Sequence, residues 1–126
     1  MKKIIQTENA PAPIGPYSQA VQAGNFLFVS GQIAIHPGTG ELQTVNVIGE
    51  TGQVMENIGA ILQQAGYDYG DIIKSTIFLR DMNNFQSVNE VYGNYFSEKF
   101  PARETVEVSC LPKNVNVEIS VVAYKG

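Results

Sequence analysis

Two periodicities divide the chain. Between about residues 48 and 65, Met55, Ile58, Ile61, Leu62 and Ala65 recur at helical spacing, and Gly66 succeeds them as a C-terminal stop. Gly49, Gly52 and Gly59 each weaken that helix by up to ~1 kcal/mol relative to alanine, so packing must hold it, and the glycines permit close contact with the sheet. Phe85, Val88, Val91, Tyr92, Tyr95 and Phe96 make a second helical stripe, with Asn83 and Gln86 at capping-box spacing. Asn89 lies off that stripe, where it faces an edge or an interface.

The remainder alternates with the period of strands. Ile4 and Ile5 open a short first strand. Residues 17–23 and 26–30 read as a hairpin closed by Gly24-Asn25. Its second arm ends in Ser30-Gly31-Gln32, where a glycine allows close backbone approach. Residues 33–35 extend the strand and 36–40 (HPGTG) form a surface turn. In DIIKSTIFLR (71–80), Ile73, Ser75, Ile77 and Leu79 share one face, while Ile72, Lys74, Thr76, Phe78 and Arg80 share the other. FPARETVEVSCLP (100–112) puts Arg103 on a loop or strand edge, then alternates Val106, Val108 and Cys110 against Thr105, Glu107 and Ser109. Cys110 reads as a packed, inert thiol. The last strand, 115–124, has an apolar face of Val117, Ile119, Val121 and Ala123, and a mixed face of Glu118, Ser120, Val122 and Tyr124.

The order is strands, helix, strand, helix, strands. Two helices cannot cover both faces of such a sheet, so the expected class is α+β: one mixed sheet of five to six strands with both helices on one face. The mixed second face suits a subunit interface better than bulk water, which predicts a homo-oligomer.

Length and charge narrow this picture. The 126 residues suit a single domain, 1–126, able to bury a core without disulfide or metal. The 44% hydrophobic and 16% charged content is that of a folded chain. A net charge of −4 without a basic cluster argues against nucleic acid and anionic membranes as partners. No run approaches the ~20 apolar residues of a bilayer span. The start, MKKIIQTENAP, has too short an apolar segment for a secretory signal, so an intracellular, cytoplasmic protein is expected. One cysteine and one histidine, His36 in a turn, give no zinc ligand set, and no metal is expected.

The candidate chemistry is carboxylate-directed. Arg103 offers a planar fork that fits a carboxylate with two hydrogen bonds, and Glu118 is expected in its neighbourhood. Two readings stand: a salt bridge between strands, or a cleft in which Arg103 binds a small acid and Glu118 handles a proton. The proline-rich loop APAPIGP (10–16) delivers Tyr17 to a fixed place, either as a half-buried strand residue or toward such a cleft. No phosphate-binding glycine motif is present, and a single histidine leaves no Ser/His/Asp set to assemble.

Five blocks carry a resemblance over essentially the whole chain: ENAPAPIGPYSQAV (8–21), SGQI (30–33), ENI and AILQQAG within 56–66, DIIKSTIFLRDMNNFQSVNEVY (71–92) and FPARETVEVSCLPKNVNVEI (100–119). With these the chain resembles the Rid (YjgF-like) family of reactive-intermediate imine/enamine deaminases. The resemblance implies a chorismate-mutase-like α+β fold and a homotrimer with clefts between subunits. It implies hydrolysis of 2-imino acids and their enamine tautomers, 2-aminoacrylate/2-iminopropanoate and 2-iminobutanoate, to 2-oxo acids and ammonia, with no cofactor. By position, Arg103 is then the carboxylate clamp and Glu118 orients water or shuttles protons. Tyr17 closes the pocket, Ser30 and Gly31 line it, Asn89 is near its wall, and Thr105 stands where many members carry cysteine. A regulatory binding module using the same clefts is the alternative. A ribonuclease or translation-inhibiting role also attaches to the family, against which the missing basic surface and catalytic histidine argue.

Overall fold

The computed structural model describes residues 1–126. Six strands form one mixed sheet: β1 (Lys3–Ile5), β2 (Ala20–Ala23), β3 (Phe26–Gln32), β4 (Ile72–Leu79), β5 (Ala102–Glu107) and β6 (Val117–Tyr124). Their spatial order is β1-β2-β3-β6-β4-β5, antiparallel except for the parallel β4–β5 pair at one edge. Helices α1 (Val47–Gln64) and α2 (Phe85–Gly93) pack on the same face, which gives the expected α+β layer arrangement.

The helix α1 forms because its apolar stripe is fully buried. Val54, Met55, Ile58, Ile61 and Leu62 lie against Leu27, Ile77, Leu79, Val117, Ile119 and Ala123 in one core. Asn46 caps its N-terminus, with Oδ1 accepting from the Gly49 amide at 2.7 Å. Beyond its C-terminus Gly66 adopts φ +83, the left-handed stop expected of a glycine there. Gly59 allows a close approach, but to Tyr69 and not to a strand: an added Cβ would fall 2.1 Å from the Tyr69 hydroxyl, which donates to Met55 O.

Four local expectations need correction. The strand face order in 71–80 is interrupted by a bulge between Ile72 and Lys74, which buries Ile72 and turns Ile73 outward. The second helix is not opened by an Asn83/Gln86 box. A 3₁₀ turn at Met82–Asn84 precedes it, capped by Asp81 on the Asn83 amide. Residues 33–35 leave the sheet, with only an isolated bridge from Ile35 to Leu42. Finally, β5 ends at Glu107, so alternation does not carry on to Cys110, and its thiol is exposed.

The face of the sheet away from the helices is partly apolar. Phe26, Phe28, Tyr124 and Val106 are each at least 41% exposed there, and Phe26 packs its ring on Tyr124 at 4.9 Å between centroids. Phe28 lies beside the same cluster, 6.3 Å from the Phe26 ring. No helix is long and apolar enough to cross a membrane.

Candidate functional site

The expected site residues fall into two groups. Tyr17, Ser30, Gly31 and Glu118 line one cavity of about 510 Å³, together with Pro11, Ile14, Ile33 and Pro112. Asn89 and Arg103 line a second cleft with Tyr92, Gly93, Phe100 and Pro101.

The first cavity is built around a bulge. Val29 pairs with Val121 and Gln32 with Ile119, so Ser30 and Gly31 together oppose Ser120. The extra residue bends β3 away from β6 and opens room beside Glu118. Gly31 leaves the space that the Glu118 carboxylate occupies: a Cβ would lie 2.2 Å from Glu118 Oε2. Ser30 Oγ donates to Ser18 O at 2.6 Å, which ties the bulge to the segment before β2. Tyr17 is half exposed at the mouth.

Glu118 is half-buried and forms no ion pair, and burial pushes its carboxyl above the ordinary glutamate range. The carboxyl can therefore hold a proton nearer neutral pH than a surface glutamate would.

The second cleft lies between α2 and the start of β5. Register places Arg103 beside Ser75 on the helix face, and Ser75 Oγ accepts from the Tyr92 hydroxyl at 2.8 Å. The guanidinium stands over the Phe85 and Tyr92 rings at 5.6 and 5.5 Å, which holds it by cation–π attraction. Its Nη1 donates to Asn89 Oδ1. Asn89 thus points into this cleft, and the partner it gives Arg103 is neutral. Burial pushes the Tyr92 hydroxyl upward, outweighing the Ser75 bond and the Arg103 charge that lower it. Thr105 lies two residues on, on the same face as Arg103, and its Oγ1 is buried without a hydrogen-bond partner.

Arg103 and Glu118 are therefore not neighbours within one chain. Glu118 pairs with Phe78 on the open face, while Arg103 pairs with Ser75 on the helix face. The salt-bridge reading fails, and the ion pair of this region is Lys74–Glu104 at 3.2 Å. Strand alternation alone could not relate the faces of β5 and β6, because that depends on their registers with β4.

Two supporting residues carry no role in the sequence patterns above. Gln19 is buried, accepts from the Thr7 amide at 2.8 Å and donates to the carbonyls of Thr7, Ala10 and Pro11, so it pins the loop that forms the cavity wall. Glu50, wholly buried on α1, accepts from Asn116 N, Asn116 Nδ2 and Val117 N at 2.7, 2.8 and 3.0 Å. Its signal is readable: it precedes Val54, Ile58 and Ile61 on the apolar stripe, where a carboxylate needs a reason. No group of three or more metal-ligating side chains occurs.

Comparison with known proteins agrees with this architecture. A family model described as Endoribonuclease L-PSP matches residues 7–125. A RutC family protein of Pyrococcus horikoshii is 59% identical over 125 residues, covering 99% of each chain. The 2-iminobutanoate/2-iminopropanoate deaminase of Mus musculus is 44% identical over 126 residues, covering all of this chain and 93% of its own. Among solved structures, E. coli TdcF with bound serine superposes with a TM-score of 0.95 at 43% identity, covering 98% of this chain and 99% of that one. The E. coli YjgF gene product superposes at 0.94 and 46%, with the same coverage. The model match over residues 7–125 and this similarity over nearly the full length make the chain a member of the Rid (YjgF-like) family, the family of the Endoribonuclease L-PSP model.

Proposed function

We propose that the protein hydrolyses small 2-imino acids, such as 2-iminopropanoate and 2-iminobutanoate, to 2-oxo acids and ammonia, in clefts between subunits of a homotrimer and without a cofactor. The observation that carries this reading is a pair of ionisable groups with no opposite charge to spend them on. Arg103 has only a neutral amide partner, and Glu118 is an unpaired carboxyl held toward its protonated form. The two lie on opposite faces of one sheet, so a molecule of amino-acid size can meet both only where two copies adjoin. The exposed aromatic open face supplies the surface for that assembly. The names of the mouse and goat relatives support the reaction, and serine bound to TdcF supports a site of amino-acid size.

Arg103 grips the substrate carboxylate with two parallel N–H bonds, and the free Thr105 hydroxyl lies on the same side. A protonated imine is already electrophilic, so positioning is most of the task. Glu118 in its ionised form takes a proton from water as the water oxygen bonds to C2. The same carboxyl returns that proton to the nitrogen; as the C–N bond breaks, the carboxylate takes the proton of the C2 hydroxyl so that the carbonyl forms, the 2-oxo acid leaves, and the proton passes on to the departing ammonia as ammonium. Water is the only co-reactant. The family description as an endoribonuclease finds no support in the site: His36 lies exposed in its turn and the net charge is −4.

The test generates 2-iminobutanoate in situ with a threonine dehydratase and monitors release of ammonia and 2-oxobutanoate. Purified protein should accelerate both. Arg103→Ala should abolish the effect with the oligomer intact. Refolding a 1:1 mixture of Arg103→Ala and Glu118→Gln chains should restore about one quarter of the wild-type rate, the fraction of sites that draw both intact groups from different chains. No restoration would refute shared sites. Saturable binding of 2-oxo acids without hydrolysis would instead make the protein a non-catalytic binding module.

A further inference from the structure

We propose that Glu50 is a positioning residue for Glu118: its buried carboxylate fixes the backbone where β6 begins and so holds the Glu118 side chain over Gly31. The proposal rests on the deaminase reading for its kinetic consequence, but its geometry is independent of it.

The segment before β6 needs an outside anchor. Lys113 and Asn114 both have left-handed φ values, +56 and +57, which side chains other than glycine adopt at a cost. Arg80 holds one side of residues 114–116, through Nη1 to Asn114 O at 2.8 Å and its amide to Asn116 O at 3.1 Å. On the other side three N–H donors converge: Asn116 N, Asn116 Nδ2 and Val117 N. A carboxylate accepts at both oxygens and donates nothing, so it matches three donors without a clash. Glu50 Oε2 takes both backbone amides and Oε1 takes the side-chain amide.

These bonds decide which way Glu118 points. Val117 is wholly buried and Glu118, the next residue, must face the opposite side. Rotation of the 116–117 peptide would carry Glu118 off the Gly31 gap, where its carboxylate already sits as close as the missing Cβ allows. A buried carboxylate in the first turn of a helix is also favoured by the helix dipole, so α1 supplies a fixed mount. The other titratable group lining the Glu118 cavity is Tyr17; Phe78 is its cross-strand neighbour on β4, and the Arg80 guanidinium two residues on is bonded to Asn114 O, with no ion pair to Glu118.

The experiment compares Glu50→Asp, Glu50→Gln and Asn116→Ala. Asp keeps the charge but retracts it, Gln keeps the reach, and Asn116→Ala removes one donor without touching the buried carboxylate. Two quantities are read: the Glu118 titration midpoint by NMR of 13C-glutamate-labelled protein without substrate, and kcat and KM for the imine. Glu50→Asp should lower the midpoint toward the ordinary glutamate range as Glu118 relaxes toward water. It should cut kcat roughly tenfold with KM changed less than about threefold, because the Arg103 cleft is untouched. Asn116→Ala should move the midpoint the same way by less, and it decides the question alone if Glu50→Asp does not fold. Glu50→Gln should stay within about threefold of wild type, because its oxygen still meets the backbone amides and the Asn116 amide can turn to match its nitrogen. Unchanged midpoint and kcat, with shifted Asn116 and Val117 amide resonances, would overturn the proposal. Wild-type protein without imine hydrolysis would refute the deaminase reading, and the midpoints would still decide the role of Glu50.

Discussion

Replacing Gly31 by alanine isolates the placement of Glu118 from its chemistry. The added Cβ would lie 2.2 Å from Oε2, 2.9 Å from Cδ and 3.1 Å from Cγ of Glu118. Ordinary contact begins near 3.4 Å, so the carboxylate oxygen must retreat by roughly 1.2 Å. It can do so cheaply, because the clash is with the end of a side chain that opens on a cavity and not with backbone. Alanine is conformationally acceptable here, so stability should change by less than about 1 kcal/mol. Misplacing a reacting group by about 1 Å costs on the order of 10²-fold in rate. The expected result of the dehydratase-coupled assay is therefore a kcat about 10²-fold lower, with KM and melting temperature nearly unchanged. A variant that kept kcat within about threefold, while its crystal structure showed the carboxylate displaced, would refute the claim that Glu118 acts from its seat over Gly31.

Other perturbations separate stability from activity. Glu118→Gln should lower kcat by roughly 10²–10⁴-fold. Because the folded protein holds the Glu118 proton more tightly than the unfolded chain does, the ionised carboxylate weakens the fold above its raised pKa. Glu118→Gln should thus melt higher than wild type at pH 7, and that advantage should vanish below the ordinary glutamate value of about 4.3, as differential scanning calorimetry across pH would show. Arg103→Lys keeps the charge but loses the two-pronged fork, so binding should weaken by about 1.5–3 kcal/mol, measured as inhibition by 2-oxo acids. Thr105→Val removes a buried hydroxyl that lacks a partner, so the free protein should be as stable or up to about 1 kcal/mol more stable in denaturant melts, while KM rises. Gly59→Ala drives a Cβ to 2.1 Å from the Tyr69 hydroxyl and 2.7 Å from Cζ, a ring already bonded to Met55 O. It should cost about 1–3 kcal/mol of stability by thermal melting, with kcat unaffected.

Both helices, the strand set and the one-sided layering are legible in periodicity, because burial on a single face imposes the 3.6 and 2.0 spacings directly. The departures have a different origin. The flip of Ile72 and Ile73 comes from a bulge, which one sequence cannot show because its cause is register with β6. The cap before α2 is ambiguous in sequence because Asp81 and Asn83 both satisfy the short-range signal, and the folded chain uses Asp81. Tyr17, Ser30, Gly31 and Glu118 meet in one cavity and Asn89 meets Arg103, but the separation of these two groups is illegible. Relating β5 to β6 requires the parallel pairing of β5 with β4, and edge pairing leaves no mark in the alternation of either strand.

That separation has a chemical consequence. Had Arg103 and Glu118 shared a face, a paired guanidinium would have held the carboxyl ionised and spent its own fork, leaving neither for a ligand. The sheet instead keeps them on opposite faces, in two environments. Arg103 is mounted on aromatic rings and an amide oxygen, which orient it without neutralising it. Glu118 is left in a largely apolar cavity where burial alone sets its affinity for a proton. Groups held in such different surroundings are suited to distinct roles in one reaction, one electrostatic and one proton-carrying. Under the proposed function, oligomer formation would do more than cover the exposed Phe26, Phe28 and Tyr124: it would be the step that brings a clamp and a proton carrier, each prepared separately, to the same substrate.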